Sequence, residues 1–187
     1  MQSTVLITGG AGYIGAHACV ELAATGHEVV LLDNLSNSRR SVIPRLERLC
    51  GRSLPFHEGD IRDRAFLRRL FAAHRIHAVM HFAGLKSVEE SARDPVLYYE
   101  NNVSGTLTLL QVMEEFAVRR IIFSSSATVY GETAELPLVE ESALNPVSPY
   151  GHTKLVTELI ISDLLRSTPG WKAVLLRYFN AVSSHES

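Results

Sequence analysis

A short apolar run leads directly into a glycine-rich turn in the segment Thr4-Val-Leu-Ile-Thr-Gly-Gly-Ala-Gly-Tyr-Ile-Gly15. Residues 4–8 are apolar and β-branched, which is typical of a buried parallel strand. The glycines allow backbone N–H groups to approach a diphosphate, and a helix that begins there points its positive end at the same anion. Two spacings fit, Gly10-x-Gly12-x-x-Gly15 and Gly9-x-x-Gly12-x-x-Gly15. The segment therefore predicts a dinucleotide site.

The residues that follow specify the kind of dinucleotide. An amphipathic stretch comes next, and Glu28-Val-Val-Leu-Leu-Asp33 has the pattern of a second strand. Asp33 lies 18 residues past Gly15, close to the spacing at which a carboxylate binds an adenosine ribose. Because this carboxylate would repel a 2′-phosphate, NAD is favoured over NADP, although Arg39 and Arg40 follow nearby. The alternative, a glycine-rich turn with a surface aspartate, does not account for this context.

The composition bounds the class of protein. The 187 residues are 46% hydrophobic and 20% charged, with a net charge of −2, which predicts one folded domain and no nucleic-acid surface. Apolar runs are of strand length, well short of the ~20 residues that a membrane helix needs. The first strand follows Ser3 directly, so we expect no signal peptide. We interpret Cys19 and Cys50 as buried free thiols, which suits a cytoplasmic location.

Three of the eight histidines, His74, His77 and His81, are spaced so that a helix would cluster them. Residues 76–82, however, have the pattern of a strand, on which only His77 and His81 share a face. Neither a carboxylate nor a cysteine completes a ligand set. We therefore expect structural or surface histidines and no metal site.

Helical and strand patterns alternate along the chain, which predicts an α/β fold with a doubly wound parallel sheet between two helical layers. Pro95 and Pro149 suit the first positions of helices whose N-caps are Asp94 and Ser148. The segment 131–147 is expected to be a loop over the sheet edge. The predicted strands are 4–8, 28–33, 55–59, 77–82, 119–124 and 173–178. The predicted helices are 14–25, 40–50, 63–73, 95–117 and 149–166.

Ligands bind such sheets at the carboxyl ends of the strands, where this sequence places polar or small residues. Asp60 is expected to accept a hydrogen bond from the adenine amino group. The run Phe82-Ala83-Gly84 is expected beside the phosphates and the adjoining ribose, and Lys86 is placed to meet the diphosphate. A lysine in this position is otherwise usually solvated.

Tyr150-Gly-His-Thr-Lys154 places a phenol and an ammonium one helical turn apart. The ordinary pKa of a phenol is about 10, and a neighbouring ammonium together with a nicotinamide ring is expected to lower it. Tyr150 then serves as a base that takes a hydroxyl proton while hydride leaves the same carbon. Ser126, at a strand end, is placed to hydrogen-bond the reacting oxygen. The alternatives are an amphipathic-helix pair and a serine that caps a turn.

These segments resemble the extended short-chain dehydrogenase/reductase family. The other matching segments are Leu32-Asp-Asn-Leu-Ser-Asn-Ser38, Glu58-Gly-Asp-Ile61, His81-Phe-Ala-Gly-Leu-Lys86, Tyr98-Tyr-Glu-Asn-Asn-Val103, Phe123-Ser-Ser-Ser-Ala-Thr-Val-Tyr-Gly131, Ser148-Pro-Tyr-Gly-His-Thr-Lys154 and Leu176-Arg-Tyr-Phe-Asn180. The glycine loop and the Tyr/Lys pair are features of the wider family. Two segments, Phe82-Ala-Gly-Leu-Lys86 and Ser124-Ser-Ser-Ala-Thr-Val-Tyr-Gly131, resemble more narrowly its nucleotide-sugar epimerases.

The resemblance implies an isomerase that interconverts UDP-galactose and UDP-glucose by transient oxidation at C4, with NAD regenerated each turnover. It makes Tyr150 the base, Lys154 its partner and ribose anchor, and Ser126 the hydrogen-bonding helper; Phe179 and Asn180 would face the nicotinamide and the sugar. The implied NAD contacts are Gly9, Gly12, Tyr13, Ile14, Gly15, Asp33, Asn34, Asn37, Ser38, Asp60, Ile61, Phe82, Ala83, Gly84, Lys86, Asn101, Tyr150, Lys154 and Tyr178.

The family's chains continue into a smaller domain that binds the UDP half, so we interpret residues 1–187 as the NAD-binding Rossmann domain. The resemblance also implies a homodimer through helices 95–117 and 149–166. Two alternatives stay open: a non-catalytic NAD-binding module, and another nucleotide-sugar dehydratase or reductase. A dehydratase needs an acid/base pair where this chain has Ala127-Thr128.

Overall fold

Six parallel strands form one sheet in this protein, seen here in a computed structural model that describes residues 3–132 and 136–182. The strand order is β3-β2-β1-β4-β5-β6, so the chain reverses direction across the sheet between β1 and β4. This arrangement confirms the predicted doubly wound sheet, and each observed strand overlaps a predicted one. The strands are β1 Thr4–Thr8, β2 Glu28–Asp33, β3 Phe56–Glu58, β4 Ala78–His81, β5 Arg120–Ser126 and β6 Lys172–Tyr178.

The helices agree with the prediction less closely. The expected helix 95–117 is instead three consecutive segments: helix α5 (Pro95–Tyr98), a π-helical turn (Tyr99–Ser104) and helix α6 (Gly105–Glu115). The short helix α4 was not predicted, because it spans only 6 residues and carries two glutamates at its start. Short 3₁₀ turns precede α2 and follow β5. The helices are α1 Tyr13–Ala24, α2 Ile43–Cys50, α3 Arg64–Ala73, α4 Val88–Arg93, α5 Pro95–Tyr98, α6 Gly105–Glu115 and α7 Pro149–Ser167.

Both predicted N-caps are confirmed. The Asp94 carboxylate accepts a hydrogen bond from Leu97 N at 3.0 Å, and Ser148 Oγ accepts one from Gly151 N at 3.1 Å. Of the predicted loop 131–147, residues 133–135 lie outside the described residues. The described remainder contains neither helix nor strand.

The sheet is covered on both faces, which explains why its central strands are continuous apolar runs. Successive residues of β1 pack into different clusters: Leu6 packs among residues of α3, α6 and α7, whereas Ile7 packs among residues of α1 and α2. Both side chains are fully buried. The two clusters fix the register of β1 and with it the position of the glycine turn.

The histidines have structural partners. His77 Nδ1 accepts a hydrogen bond from Thr4 N at 3.0 Å, His74 Nε2 lies 2.7 Å from His57 Nε2, and His81 is buried. No group of three or more His, Cys, Asp and Glu side chains in the described residues is arranged to hold a metal ion. The same residues contain no helix with the length and apolar character to cross a membrane. Both cysteines are free thiols; Cys19 is buried, whereas Cys50 is half-buried.

Candidate active site

Gly9 and Gly15, at the turn between β1 and α1, occupy positions without space for a side chain. A Cβ atom on Gly15 would lie 2.3 Å from Gly9 O, so only glycine lets α1 begin this close to the strand end. Gly9 has φ +70°, and a Cβ atom there would lie 2.7 Å from Ala83 N. The turn is thus wedged between its own helix and the residues that follow β4. Its backbone is exposed to a cavity at the carboxyl edge of the sheet.

Asp33 links the glycine turn to the loop after β2. Its Oδ2 accepts a hydrogen bond from Ala11 N at 3.0 Å, and its Oδ1 accepts bonds from Leu35 N at 2.9 Å and Ser38 Oγ at 2.8 Å. The residue is only 8% exposed, and it lines the cavity. Three donors keep the carboxylate oriented before any ribose arrives.

The cavity has a volume of about 520 Å³ and follows the carboxyl ends of the strands. It brings together almost every predicted site residue. Those that line it are Gly9, Gly12, Tyr13, Ile14, Gly15, Asp33, Asn34, Asn37, Ser38, Ile61, Phe82, Ala83, Gly84, Lys86, Asn101, Ser126, Tyr150, Lys154, Tyr178, Phe179 and Asn180.

Asp60 does not line this cavity, although its neighbours Gly59 and Ile61 do. Its carboxylate accepts hydrogen bonds from Arg62 N, Nε and Nη2 at 2.9, 3.0 and 2.8 Å, and from Asn34 Nδ2 at 3.2 Å. These bonds, chiefly those from the Arg62 side chain, lower the pKa of Asp60 to about 2. The carboxylate is therefore already engaged by protein donors, an arrangement that the spacing of the sequence did not reveal.

The Tyr150 phenol hydrogen-bonds the Ser126 hydroxyl. Ser126 Oγ also accepts hydrogen bonds from Thr128 N at 3.2 Å and Thr128 Oγ1 at 3.0 Å. Because Thr128 supplies two donors, the Ser126 proton is left to point at the phenol oxygen. Burial raises the pKa of Tyr150, and the Ser126 hydrogen bond opposes that rise. Thr128, whose role in orienting Ser126 the sequence did not indicate, completes this set.

The Lys154 side chain is buried next to Tyr150. Its Nζ donates to Ser124 O at 2.7 Å, lies 4.9 Å from the Phe123 ring centroid and is 5.8 Å from the Tyr150 ring centroid. Burial lowers the pKa of Lys154 to about 8, and the charge of Glu158 opposes the shift. The sequence predicted that Lys154, together with a nicotinamide ring, lowers the pKa of Tyr150. In the protein alone, burial of the phenol raises that pKa, and the Ser126 hydrogen bond is the contribution that opposes the rise.

A buried hydrogen-bond chain fixes the tautomer of His81. Thr106 Oγ1 donates to Asn102 O at 2.6 Å, so it must accept from His81 Nε2 at 2.9 Å. His81 Nδ1 then accepts from Thr8 Oγ1 at 2.6 Å. Burial lowers the pKa of His81 to about 3, with Lys154 adding to the effect. His81 is consequently a neutral imidazole that connects β4 to β1 and α6 through hydrogen bonds.

Asn102, in the π-helical turn, holds the loop after β4. Its Oδ1 accepts from Leu85 N at 2.8 Å, while its Nδ2 donates to Leu85 O at 2.9 Å and Thr153 Oγ1 at 3.2 Å. This clamp places the residues around Gly84 against α7. No pattern in the sequence indicated these contacts, since they depend on a π-helical turn that periodicity does not predict.

The model of the NAD dependent epimerase/dehydratase family matches residues 5–187. The chain belongs to this family. Among similar members, the UDP-glucose 4-epimerase of Neisseria meningitidis serogroup A is 50% identical over 187 residues, which are 100% of this chain and 55% of that protein. The UDP-glucose 4-epimerase of Yersinia pestis is 52% identical over 184 residues, or 98% of this chain and 54% of that protein.

Solved structures agree with this membership. The crystal structure of UDP-glucose 4-epimerase from Bifidobacterium longum, in complex with NAD+ and UDP, superposes with a TM-score of 0.96 at 48% identity. The match covers 98% of this chain and 55% of that one. This epimerase/dehydratase family chain thus spans about half the length of the relatives that it matches.

Proposed function

We propose that this chain is the NAD-binding part of an enzyme that interconverts UDP-galactose and UDP-glucose. The observation that carries the proposal is that Tyr150, Ser126 and Lys154 share one cavity with the glycine turn and Asp33. A relative in the same family, with the same fold, has been crystallised with NAD+ and UDP. Of the alternatives, a dehydratase is disfavoured because Thr128, at the position where an acid/base residue would stand, hydrogen-bonds Ser126 instead.

The cavity supplies what each part of NAD requires. Backbone N–H groups of the glycine turn and the start of α1 suit the diphosphate. The preoriented Asp33 carboxylate suits the adenosine ribose. Lys154, with three donors on its ammonium and one of them on Ser124 O, suits the ribose next to the nicotinamide. The remaining residues proposed for the NAD site are the cavity-lining ones given above other than Ser126, Phe179 and Asn180, with Asp60 as an outer support through Asn34.

Tyr150 would act as the base on the sugar 4-hydroxyl. NAD, when bound, supplies the acceptor for the C4 hydride and returns it to the opposite face of the 4-keto sugar. Ser126 donates its proton to the oxygen on which negative charge develops, and Thr128 keeps that proton directed inward. The charge on Lys154 favours the phenolate, against the burial that disfavours it.

The part of the cavity proposed for the sugar includes two residues that follow β6. Phe179 is 65% exposed, and Asn180 is also exposed, at the end of β6. We propose that they contact the hexose, and that a further part of the protein, such as the smaller domain implied by the resemblance, holds the uridine diphosphate. Catalysis requires the uridine diphosphate to be bound, because the reacting carbon must stay within reach of Tyr150.

The assembly and location are part of the proposal. The helices at 95–115 and 149–167 expose large apolar side chains, among them Val96 at 74% and Leu159 at 52%, which suits a homodimer formed through these helices. Light scattering should give twice the monomer mass. A cytoplasmic location suits the free thiols of Cys19 and Cys50.

The test is conversion of UDP-galactose to UDP-glucose by the full-length protein, with no net NADH released. Tyr150→Phe should lower kcat by at least about 100-fold, since it removes the base, and should leave NAD bound. Tyr99→Phe is a matched control, because Tyr99 is an exposed phenol that does not line the cavity. NAD binding without any turnover of UDP-hexoses would instead support a non-catalytic module.

A further inference from the structure

Glu158 is a buried carboxylate that none of the roles above uses. It lies one helical turn beyond Lys154 and two turns beyond Tyr150, so the three side chains share one face of α7. Glu158 is only 3% exposed. A charge this deeply buried is costly unless the protein pairs it, so its partners show what it does.

Those partners are all donors. Arg177 Nε lies 3.1 and 3.3 Å from the two carboxylate oxygens, and Arg177 Nη2 donates to Oε2 at 2.8 Å. Ser125 Oγ donates to Oε1. The hydrogen bonds with Glu158 are the chief reason that the pKa of Arg177 is raised. This is the arrangement of an ionised carboxylate held in one orientation.

Arg177 is itself held from the other side. Its Nη1 donates to Tyr130 OH at 3.0 Å and to Glu140 O at 2.9 Å. The guanidinium also lies 5.0 Å from the Tyr130 ring centroid. Glu158 therefore cannot swing away from α7 toward solvent without breaking a network that spans β5, β6 and the segment after β5.

Lys154 has few other charges around it. From β5 it meets Ser124 O and the Phe123 ring, and from β4 it meets His81, which is neutral. Within the described part of the chain, Glu158 is the charged group that raises the pKa of Lys154 against burial. Burial and Glu158 act on the pKa of Lys154 in opposite directions, so the charge of the ammonium depends on this carboxylate.

We propose that Glu158, fixed by Arg177, is a positioning residue that keeps Lys154 charged while Tyr150 takes its proton. The inference rests on the proposed function, because a charged Lys154 matters only if the phenol must ionise. A purely structural pair makes a different prediction. If Glu158 and Arg177 only fastened β6 to α7, neutralising Glu158 would change stability and leave the titration of Lys154 where it is.

The experiment follows Lys154 directly by NMR in full-length protein labelled with ¹³C at the lysine ε-carbon. This stretch holds three lysines, Lys86, Lys154 and Lys172, and Lys154→Arg identifies the signal. In Glu158→Gln, which keeps the shape of the side chain, the Lys154 midpoint should fall by about one pH unit. Glu158→Asp should keep most of the wild-type midpoint, since it keeps the charge.

Asp163→Asn is the matched control. Asp163 is also an acid on α7 paired with an arginine, Arg166, at 2.8 Å, but both side chains are over 70% exposed. Its neutralisation should leave the Lys154 midpoint unchanged. A folded Glu158→Gln protein with the wild-type midpoint overturns the proposal. Should that variant fail to fold, Glu158→Gln/Arg177→Met is compared with Arg177→Met alone, so that only the carboxylate differs, and equal Lys154 midpoints in these two variants overturn the proposal.

Kinetics supply the second readout. In Glu158→Gln, kcat at pH 8 should fall about fivefold to tenfold and recover toward pH 6, with the KM for UDP-galactose unchanged. An equal decrease in kcat at pH 8 and at pH 6 contradicts the proposal. If neither UDP-hexose is turned over, the proposed function fails, whereas the NMR midpoint still decides whether Glu158 controls Lys154.

Discussion

Substituting Gly15 tests the idea that close backbone packing builds the dinucleotide site. In Gly15→Ala the new methyl carbon would lie 2.3 Å from Gly9 O, roughly 1 Å closer than ordinary contact allows. Gly9 cannot retreat, because it is already wedged against the backbone of Phe82 and Ala83. The start of α1 must therefore move away from the turn.

Overpacking of this kind costs about 1–3 kcal/mol. With a urea dependence of about 2 kcal/mol/M, the unfolding midpoint should fall by about 0.5–1.5 M. Gly12→Ala is a matched control for stability, because its methyl carbon would lie 3.2 Å from the same Gly9 oxygen and needs a movement of only tenths of an ångström. Calorimetric titration of Gly15→Ala with NAD should show at least about tenfold weaker binding, since the backbone donors shift with α1. Wild-type stability and NAD affinity in Gly15→Ala would show that the close packing of Gly15 on Gly9 does not hold the backbone donors in place.

Three further substitutions test separate parts of the site. Asp33→Asn removes a negative charge that accepts hydrogen bonds from three donors. The variant should bind NAD about tenfold more weakly and should show a smaller preference for NAD over NADP. Unchanged affinities for both dinucleotides would contradict a role of Asp33 in binding the adenosine ribose. His81→Gln should be less stable than the wild type at pH 7, and this difference in stability should become smaller toward pH 4. Wild-type His81 stays neutral when folded but takes up a proton below about pH 6.5 when unfolded, which lowers wild-type stability by about 1.4 kcal/mol per pH unit. A difference in denaturation midpoints that does not change with pH would show that His81 is not held neutral. Ser126→Ala should lower kcat about 100-fold with little change in KM, and a loss confined to KM would show that Ser126 only binds substrate.

The sequence predicted the sheet well because both faces of the central strands are buried. Leu6 and Ile7 face different clusters, so the middle of the strand has to be apolar on both faces, and such a run is easy to recognise. The glycine turn was equally recognisable, since Gly9 and Gly15 have geometry that side chains cannot share. Helix α4 was missed because its charged sequence lacks apolar periodicity.

The site residues that escaped prediction act through partners distant in sequence. Asn102 binds Leu85 and Thr153, and Arg177 binds Glu158, contacts that appear only after the sheet and helices have packed. The same reason explains the hydrogen bond between Asp60 and Asn34, which lie 26 residues apart, and the raised pKa of Tyr150, which follows from burial. Spacing identifies which residues share a helical face, but the solvent around a group is set by the whole fold.

Catalysis as proposed requires Tyr150 to ionise, and its titration can be measured directly. The phenolate absorbance of the full-length protein, minus that of Tyr150→Phe, gives the titration of this one phenol with and without saturating NAD. Burial holds the pKa of Tyr150 above its ordinary value, and the positive nicotinamide ring should oppose this, so we expect NAD to lower the midpoint by at least about two pH units. A midpoint that stays above 10 with NAD bound would show that Tyr150 does not act as the base.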